Sequence, residues 1–205
     1  MVITGYLFFR PDILTNTLKK GLPLKILFIV SDQDDLKFIE VFFYHPEQKK
    51  GGVFFIPPNL GCKIESLDRM DRISVLYKKG NITPLKKKVE QIIDMDIPFY
   101  IDMQVESISG LIDMIEGIEI FISNPVDIEY EGKRILLPSG SVILDGGKLI
   151  DYILYEETNE EEREKVWRKQ KFLQAFLKRI GEPDINDFLQ IDSPFDFFCN
   201  LLYTN

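Results

Sequence analysis

Apolar residues along the chain recur at two periods, in short β-type runs and in stripes at helical spacing. Residues 24–30 (LKILFIV) are a compact apolar run followed by the polar turn Ser31-Asp32-Gln33-Asp34-Asp35, which predicts a buried strand. Residues 38–44 (FIEVFFY) and 53–56 (VFFI) repeat the pattern, and the connector HPEQKKGG at 45–52 has the composition of a hairpin turn. Thr83 followed by Pro84 predicts a helix start, with Thr83 as cap, Pro84 at the first helical position, and Leu85, Val89, Ile92 and Met95 as the buried stripe. Residues 99–105 return to strand. Ile108, Leu111, Ile112 and Ile115 then mark a second helix, and Gly117 supplies a left-handed stop before a strand at 118–122. Residues 135–138, a glycine-containing turn and Leu144-Asp145-Gly146-Gly147 lead into a helix over 148–155. The charged segment 156–164 opens a longer helix with a stripe of Val166, Leu173, Leu177 and Ile180, ended by Gly181. This alternation predicts an α/β fold, a layered α-β-α domain with a central mixed sheet.

At 205 residues, 45% hydrophobic and 28% charged, the chain is read as one globular domain over 1–205. Its 16 Phe and 8 Tyr exceed what a minimal core needs, so part of this aromatic surface is available to line a groove. A net charge of -8 opposes nucleic acid or an anionic membrane as a partner through bulk electrostatics, and leaves a local basic site open. Cys62 and Cys199 fit either one disulfide or two buried thiols. No apolar run reaches the roughly 18 residues of a membrane-spanning helix, and residues 1–10 lack a signal-peptide pattern. The chain as given is therefore expected to be soluble, with any membrane anchor outside it.

Several candidate chemistries have bland explanations. Asp32, Asp34 and Asp35 lack the spacing and glycine of a Ca²⁺ loop and read as a strand-end turn. His45, the single histidine, precedes a proline in the connector with no nucleophile motif beside it, which suits a surface role. Asn81-Ile82-Thr83 matches a glycosylation acceptor, but Thr83 already has a use as a helix cap. Lys165, Arg168 and Lys169 fall on one side of a helix. They stand among Glu160, Glu161, Glu162 and Glu164, so a solvated face with ordinary salt bridges is the favoured reading over an anion site.

The order of five landmarks is more informative: Ile56-Pro57 closing a strand pair, the stretch Arg72-Ile73-Ser74-Val75-Leu76-Tyr77, Ile118-Glu119-Ile120 after a glycine turn, Leu144-Asp145-Gly146, and Trp167-Arg168-Lys169-Gln170 on the last helix. Over residues 24–181 this order resembles the LytR-CpsA-Psr family, which transfers glycopolymers from a polyprenyl-pyrophosphate carrier to a cell-wall acceptor. The resemblance implies an extracytoplasmic domain on the bacterial cytoplasmic membrane or in the periplasm, held there by an anchor absent from this chain. It also implies a further C-terminal strand and helix beyond Asn205. Expected partners are a polyprenyl lipid, a glycopolymer or an envelope protein, and no nucleic acid.

The family's charged positions are largely replaced. Its first hairpin carries a metal-binding Asp where this chain has Lys37, and its Ile-Pro-Arg-Asp turn reads Ile56-Pro57-Pro58-Asn59. Mg²⁺ prefers carboxylate oxygens, so an ammonium and an amide are poor substitutes. The family's Tyr-x-Arg-x-Arg reads Tyr152-Ile153-Leu154-Tyr155-Glu156, which removes a bidentate arginine clamp. Its Asp-x-x-Arg-x-x-Arg-Gln survives partly around Lys165, Arg168 and Gln170, and Ser74 stands where an asparagine is usual.

The resemblance leaves Lys37, Arg72, Lys165, Arg168 and Gln170 as phosphate-binding candidates, and Phe172 and Phe176 as candidates to line a lipid groove. No metal ligand and no cofactor is expected. Mg²⁺ enters only under the alternative of an active transferase. The leading expectation is a catalytically impaired domain that binds lipid, glycopolymer or an envelope protein. A structural module of the envelope is the other alternative.

Overall fold

The computed structural model describes residues 5–8, 17, 20–45, 47–48, 50–130, 132–156 and 160–185. The chain forms two compact units that divide between Val105 and Glu106.

The first unit is built on a five-stranded mixed sheet in the order β1-β7-β2-β3-β4. Strand β1 is Gly5–Phe8, β2 Leu24–Asp32, β3 Asp35–His45, β4 Lys50–Ile56 and β7 Phe99–Gln104. The β2, β3 and β4 meander is antiparallel throughout. Gln33 and Asp34 close its first hairpin, with Gln33 in the left-handed region at φ 54. β7 pairs with β2 in parallel, from Ile26 opposite Phe99 to Ser31 opposite Gln104. β2 buries residues of both parities, Ile26 and Val30 as well as Leu27 and Ile29, as expected of a central strand.

Between β4 and β7 the chain adds a two-stranded ribbon, β5 Gly61–Ile64 with β6 Arg69–Arg72, then a 3-10 turn Ile73–Leu76 and the helix α1 Thr83–Ile93. The helix and turn meet one face of the sheet through a cluster containing Leu27, Ile29, Ile39, Ile73, Leu85 and Val89. The ribbon is too short and too charged to be visible as periodicity.

The start of α1 corrects two expectations. Thr83 is the first helical residue and makes no side-chain capping bond, because buried Ile82 occupies the cap position and its carbonyl accepts from Lys86 N at 2.8 Å. Packing of Ile82, not hydroxyl chemistry, sets where the chain enters the helix. The stripe also ends early: Leu85 and Val89 are buried, while Ile92 and Met95 are exposed, and Asp94 closes the helix in the left-handed region.

The second unit begins with α2 Val105–Met114 and contains β8 Ile118–Ile122, β9 Val126–Tyr130, β10 Lys133–Leu137, β11 Gly140–Leu144, α3 Gly146–Leu154 and α4 Glu162–Ile180. β8 pairs with β11 and β9 with β10, both antiparallel. β8 alternates buried isoleucines at 118, 120 and 122 with exposed Glu119 and Phe121, the period of a half-buried strand. Gly117 ends α2 at φ 87 as expected, its N–H donating to Ile112 O at 2.9 Å. α4 packs on β8 and on α3. Its buried residues include Phe172, Leu173, Phe176 and Ile180, whereas Val166 and Leu177 are only half-buried, so the stripe lies slightly to one side of the expected one. Among the described residues no helix is long and apolar enough to cross a membrane.

The Leu144-Asp145-Gly146 landmark acts here as a helix start. Asp145 caps α3 by accepting from Lys148 N at 2.8 Å, and Gly146 N donates to Asp113 Oδ1 at 2.7 Å. A Cβ on Gly146 would stand 2.0 Å from the Ser109 carbonyl oxygen, so only glycine lets α3 approach α2 this closely. Gly146→Ala is expected to lower stability by about 2–3 kcal/mol through overpacking. Gly147→Ala, whose Cβ would meet nothing nearer than 3.6 Å, is expected to be neutral or mildly stabilising. Urea unfolding of the two variants checks the contrast.

Candidate functional site

In the first unit the polar residues gather at the carboxyl ends of the parallel pair β2 and β7, the end at which open α/β sheets offer their backbone and loops to ligands. Ser31 is the penultimate residue of β2, Gln104 ends β7, and Asp102 stands two residues before it. Tyr77 reaches them from beyond the 3-10 turn. Its hydroxyl donates to Asp102 Oδ1 at 3.0 Å and lies 2.6 Å from Ser31 Oγ. Ser31 Oγ accepts from Gln104 Nε2 at 2.6 Å, and Gln104 Oε1 accepts from Lys79 Nζ at 3.3 Å and from Gln33 N at 2.9 Å.

The ends of this chain fix its polarity. An ammonium can only donate and a carboxylate can only accept. Protons therefore point from Lys79 through Gln104, Ser31 and Tyr77 to Asp102, with Ser31 donating to Tyr77. Ser31, Tyr77 and Asp102 are buried, and Asp102 Oδ2 is buried without a hydrogen-bond partner. Desolvation pushes the Asp102 carboxyl up to about 6, against the opposing pull of the Tyr77 bond and the Lys79 charge. Burial likewise pushes Tyr77 up to about 12.

Lys37 lies at the same end of the sheet, on β3 two residues before Ile39, which pairs with Ile56 at the start of the Pro57-Pro58-Asn59 turn. Its ammonium pairs with Asp35 Oδ2 at 2.9 Å. The turn is tied to the Arg72 segment by backbone bonds, Ile73 N to Leu60 O at 2.9 Å and Ser74 N to Pro58 O at 3.1 Å. Arg72 and Asn59 are both exposed. Lys37, the turn and Arg72 are thus brought into one neighbourhood. Its donors do not suit a divalent cation: an ammonium and an amide stand where the resemblance places carboxylates, and among the described residues no three His, Cys, Asp or Glu side chains converge.

The second unit holds the other candidates. Arg168 is buried and engaged with its own chain through both terminal guanidinium nitrogens, while its Nε is buried without a hydrogen-bond partner. Its guanidinium pairs with the Glu160 carboxylate, donates to Tyr155 O at 2.7 Å and stacks 3.7 Å above the Tyr155 ring. Lys165 lies 3.4 Å from Glu156, the residue at the family's second arginine position. Gln170 is exposed on α4. Phe172 and Phe176 are buried with ring centroids 5.9 Å apart. Tyr152 is buried beside Tyr155, with ring centroids 6.5 Å apart, and desolvation pushes its hydroxyl up to about 12. Cys62 is a free thiol raised by burial, and Cys199 lies outside the described residues.

Ser31, Tyr77, Lys79, Asp102 and Gln104 were not among the sequence candidates. The available signal was Asp102 itself, a carboxylate inside the otherwise apolar strand FYIDMQ, together with Tyr77 at the end of a family landmark.

A mixed sheet edged by this polar end, followed by a unit of paired strands and helices whose last helix carries Arg168, defines an α/β domain. The LytR_cpsA_psr family profile matches residues 39–193, well over half of the chain, and the chain belongs to that family. Its fold is similar to that of Bacillus subtilis TagV, with TM-score 0.67 and 18% identity over 79% of this chain and 66% of that one. It also resembles Streptococcus agalactiae gbs0355, with TM-score 0.72 and 14% identity over 93% and 69% of the two chains. A third similar structure is B. subtilis YwtF (TagT) with bound octaprenyl pyrophosphate lipid, with TM-score 0.63 and 16% identity over 77% and 64%. The chain spans less than two thirds of the length of TagV and YwtF. No curated protein sequence matches it significantly.

Two stability measurements probe the two clusters. Asp102 holds its proton to about pH 6 when folded and releases it near 3.8 otherwise. The associated stabilisation is complete below the lower value and is lost as pH rises through the higher one, amounting to at most about 3 kcal/mol. Subtracting the unfolding free energy of Asp102→Asn from that of the natural chain between pH 4 and 7.5 should reveal this fall. Parallel curves would show that Asp102 ionises normally. For the second cluster, Glu160→Ala is expected to cost about 3 kcal/mol by stranding a buried guanidinium, and adding Arg168→Met to restore most of it. A double variant no more stable than Glu160→Ala alone would count against a structural ion pair.

Proposed function

We propose that this chain is a binding domain of the LytR-CpsA-Psr family, one that engages a polyprenyl (pyro)phosphate lipid or a glycopolymer in the cell envelope without turning it over. The observation that carries this reading is the engagement of its cations by its own carboxylates. Arg168 is held by Glu160 and Tyr155, Lys165 lies beside Glu156, and Lys37 pairs with Asp35. Transition-state stabilisation of a transferring phosphoryl group requires donors preorganised toward the developing charge. Here the buried guanidinium points at a protein carboxylate, and moving it onto a phosphate would break a buried ion pair.

Binding without turnover needs less. An apolar tail requires only an apolar channel, and one anionic head can be met by an exposed cation such as Arg72. A polyprenyl partner is supported by the fold likeness to YwtF, whose structure holds octaprenyl pyrophosphate. The Lys37 and Asn59 substitutions support a site that works without Mg²⁺. Asp102 offers a buried proton carrier, but its unpartnered oxygen lies within the fold rather than beside a described donor for phosphate.

The test is mass spectrometry of lipid co-purified with the chain from an envelope fraction, together with a phosphate-release assay on a polyprenyl pyrophosphate with and without Mg²⁺. Polyprenyl lipid should co-purify and phosphate release should stay at background under both conditions. Release stimulated by Mg²⁺ would sink the proposal in favour of an active transferase. Absence of lipid or glycopolymer, with no release, would favour the structural module.

A further inference from the structure

Charge is unevenly distributed along the chain. Residues 61–88 contain eight Lys or Arg and three Asp or Glu, within a chain of net charge -8. This segment folds as the β5-β6 ribbon, the 3-10 turn and the start of α1, three consecutive pieces of which turn and helix pack on each other.

The ribbon's register sorts its side chains. Gly61 faces Arg72, Cys62 faces Asp71, Lys63 faces Met70 and Ile64 faces Arg69. Cross-strand partners share a face of the ribbon. Ile64 is fully buried and Cys62 and Asp71 half-buried, so their face turns inward. The opposite face carries Lys63, Met70 and Arg72 to solvent, with Met70 69% exposed and the Lys63 side chain 63% exposed. No acidic residue lies on it. At the ribbon's tip Leu67 is 48% exposed, and Val75 in the following turn is 41% exposed.

Exposed methionine, leucine and valine set among cations are costly in water and useful at an interface that is apolar below and anionic above. Among the described residues the side chains of Arg72, Lys78 and Lys87 join no ion pair, and Lys63 has only Asp68 at 3.6 Å, a contact exposed on both sides. Such pairs are worth little and exchange readily.

We propose that the solvent face of the β5-β6 ribbon, with Leu67 at its tip and Val75 beside it, docks on an anionic bilayer surface. Met70, Leu67 and Val75 enter the headgroup boundary, and Lys63, Arg72, Lys78 and Lys87 meet the lipid phosphates. The net negative charge of the chain does not prevent this contact. Beyond the Debye length of roughly 8–10 Å the remaining charges are screened, so the local excess of cations in residues 61–88 acts at the contact.

Vesicle flotation tests the proposal with the full chain and vesicles of phosphatidylcholine with or without phosphatidylglycerol. These hold no polyprenyl lipid, so the outcome is independent of the carrier-lipid reading. The protein should float with the anionic vesicles only, and added salt should release it. Leu67→Asp with Met70→Asp, and separately Lys63→Glu with Lys78→Glu and Lys87→Glu, should each weaken partitioning by roughly tenfold or more, with unchanged circular dichroism and thermal unfolding. The proposal is overturned if the natural chain stays with the unbound fraction, if it floats equally with neutral vesicles, or if both folded variants bind as it does. Concentration-dependent self-association that the same variants abolish, without flotation, would assign the face to a second copy and overturn it too.

Discussion

Parallel strands cannot be joined by a tight turn, so the pairing of β2 with β7 forces everything between them to travel around the sheet before the chain can return. That connection contains two further strands, the charged ribbon, the 3-10 turn and α1. Its length brings Tyr77 and Lys79 back over the end of the sheet where Ser31 and Gln104 already face each other in register. The relay is a consequence of this pairing: Ser31, Asp102 and Gln104 come from strands side by side, and Tyr77 and Lys79 are held by the connection that joins them. A buried hydroxyl or carboxylate is tolerated only when its neighbours satisfy it. Tyr77, Ser31 and Gln104 meet that requirement for one another, while Asp102 meets it through one oxygen and responds at the other by favouring its protonated form.

The second unit resolves a similar problem with charge. A guanidinium as buried as that of Arg168 requires a carboxylate, a carbonyl or an aromatic face to replace water, and here it has all three. Where the family motif has arginines this chain has Leu154 and Glu156, Lys165 lies 3.4 Å from Glu156, and Tyr155 turns its ring to Arg168. The replacements are therefore mutually consistent. Glu156 and Glu160 offset Lys165 and Arg168 within the unit itself.

The sequence revealed the elements whose periodicity is strong. β2, β3, β4, β7, β8 and the four helices were all visible as apolar runs or stripes, and Gly117 and Gly181 marked real helix ends. The start of α1 was misread because a good capping residue precedes a proline there, yet burial of Ile82 fixes the entry. The ribbon was missed because four-residue strands rich in charge carry no period. The site was partly legible. Lys37 and the Pro57-Pro58-Asn59 turn fall at one end of the sheet as the motif order implies, but the relay depends on a parallel register between residues about seventy apart, which no local pattern encodes. Arg168 was visible as a cation on a helix, while its burial depends on Tyr155 and Glu160 folding back over it.

The two units thus treat polar groups in opposite ways. In the first, a directional chain of neutral hydrogen bonds links an exposed ammonium to a buried acid, and its register leaves one carboxylate oxygen unsatisfied. In the second, full charges are neutralised at close range. A transferase site needs unneutralised cations next to groups able to exchange a proton, since charge and proton must move together in the transition state. Here the proton-holding group, Asp102, belongs to the first unit, and the deeply buried cation, Arg168, is already neutralised within the second. Neither cluster closes completely on itself: Asp102 Oδ2 in the first, and Arg168 Nε and Glu160 Oε2 in the second, are buried without a hydrogen-bond partner.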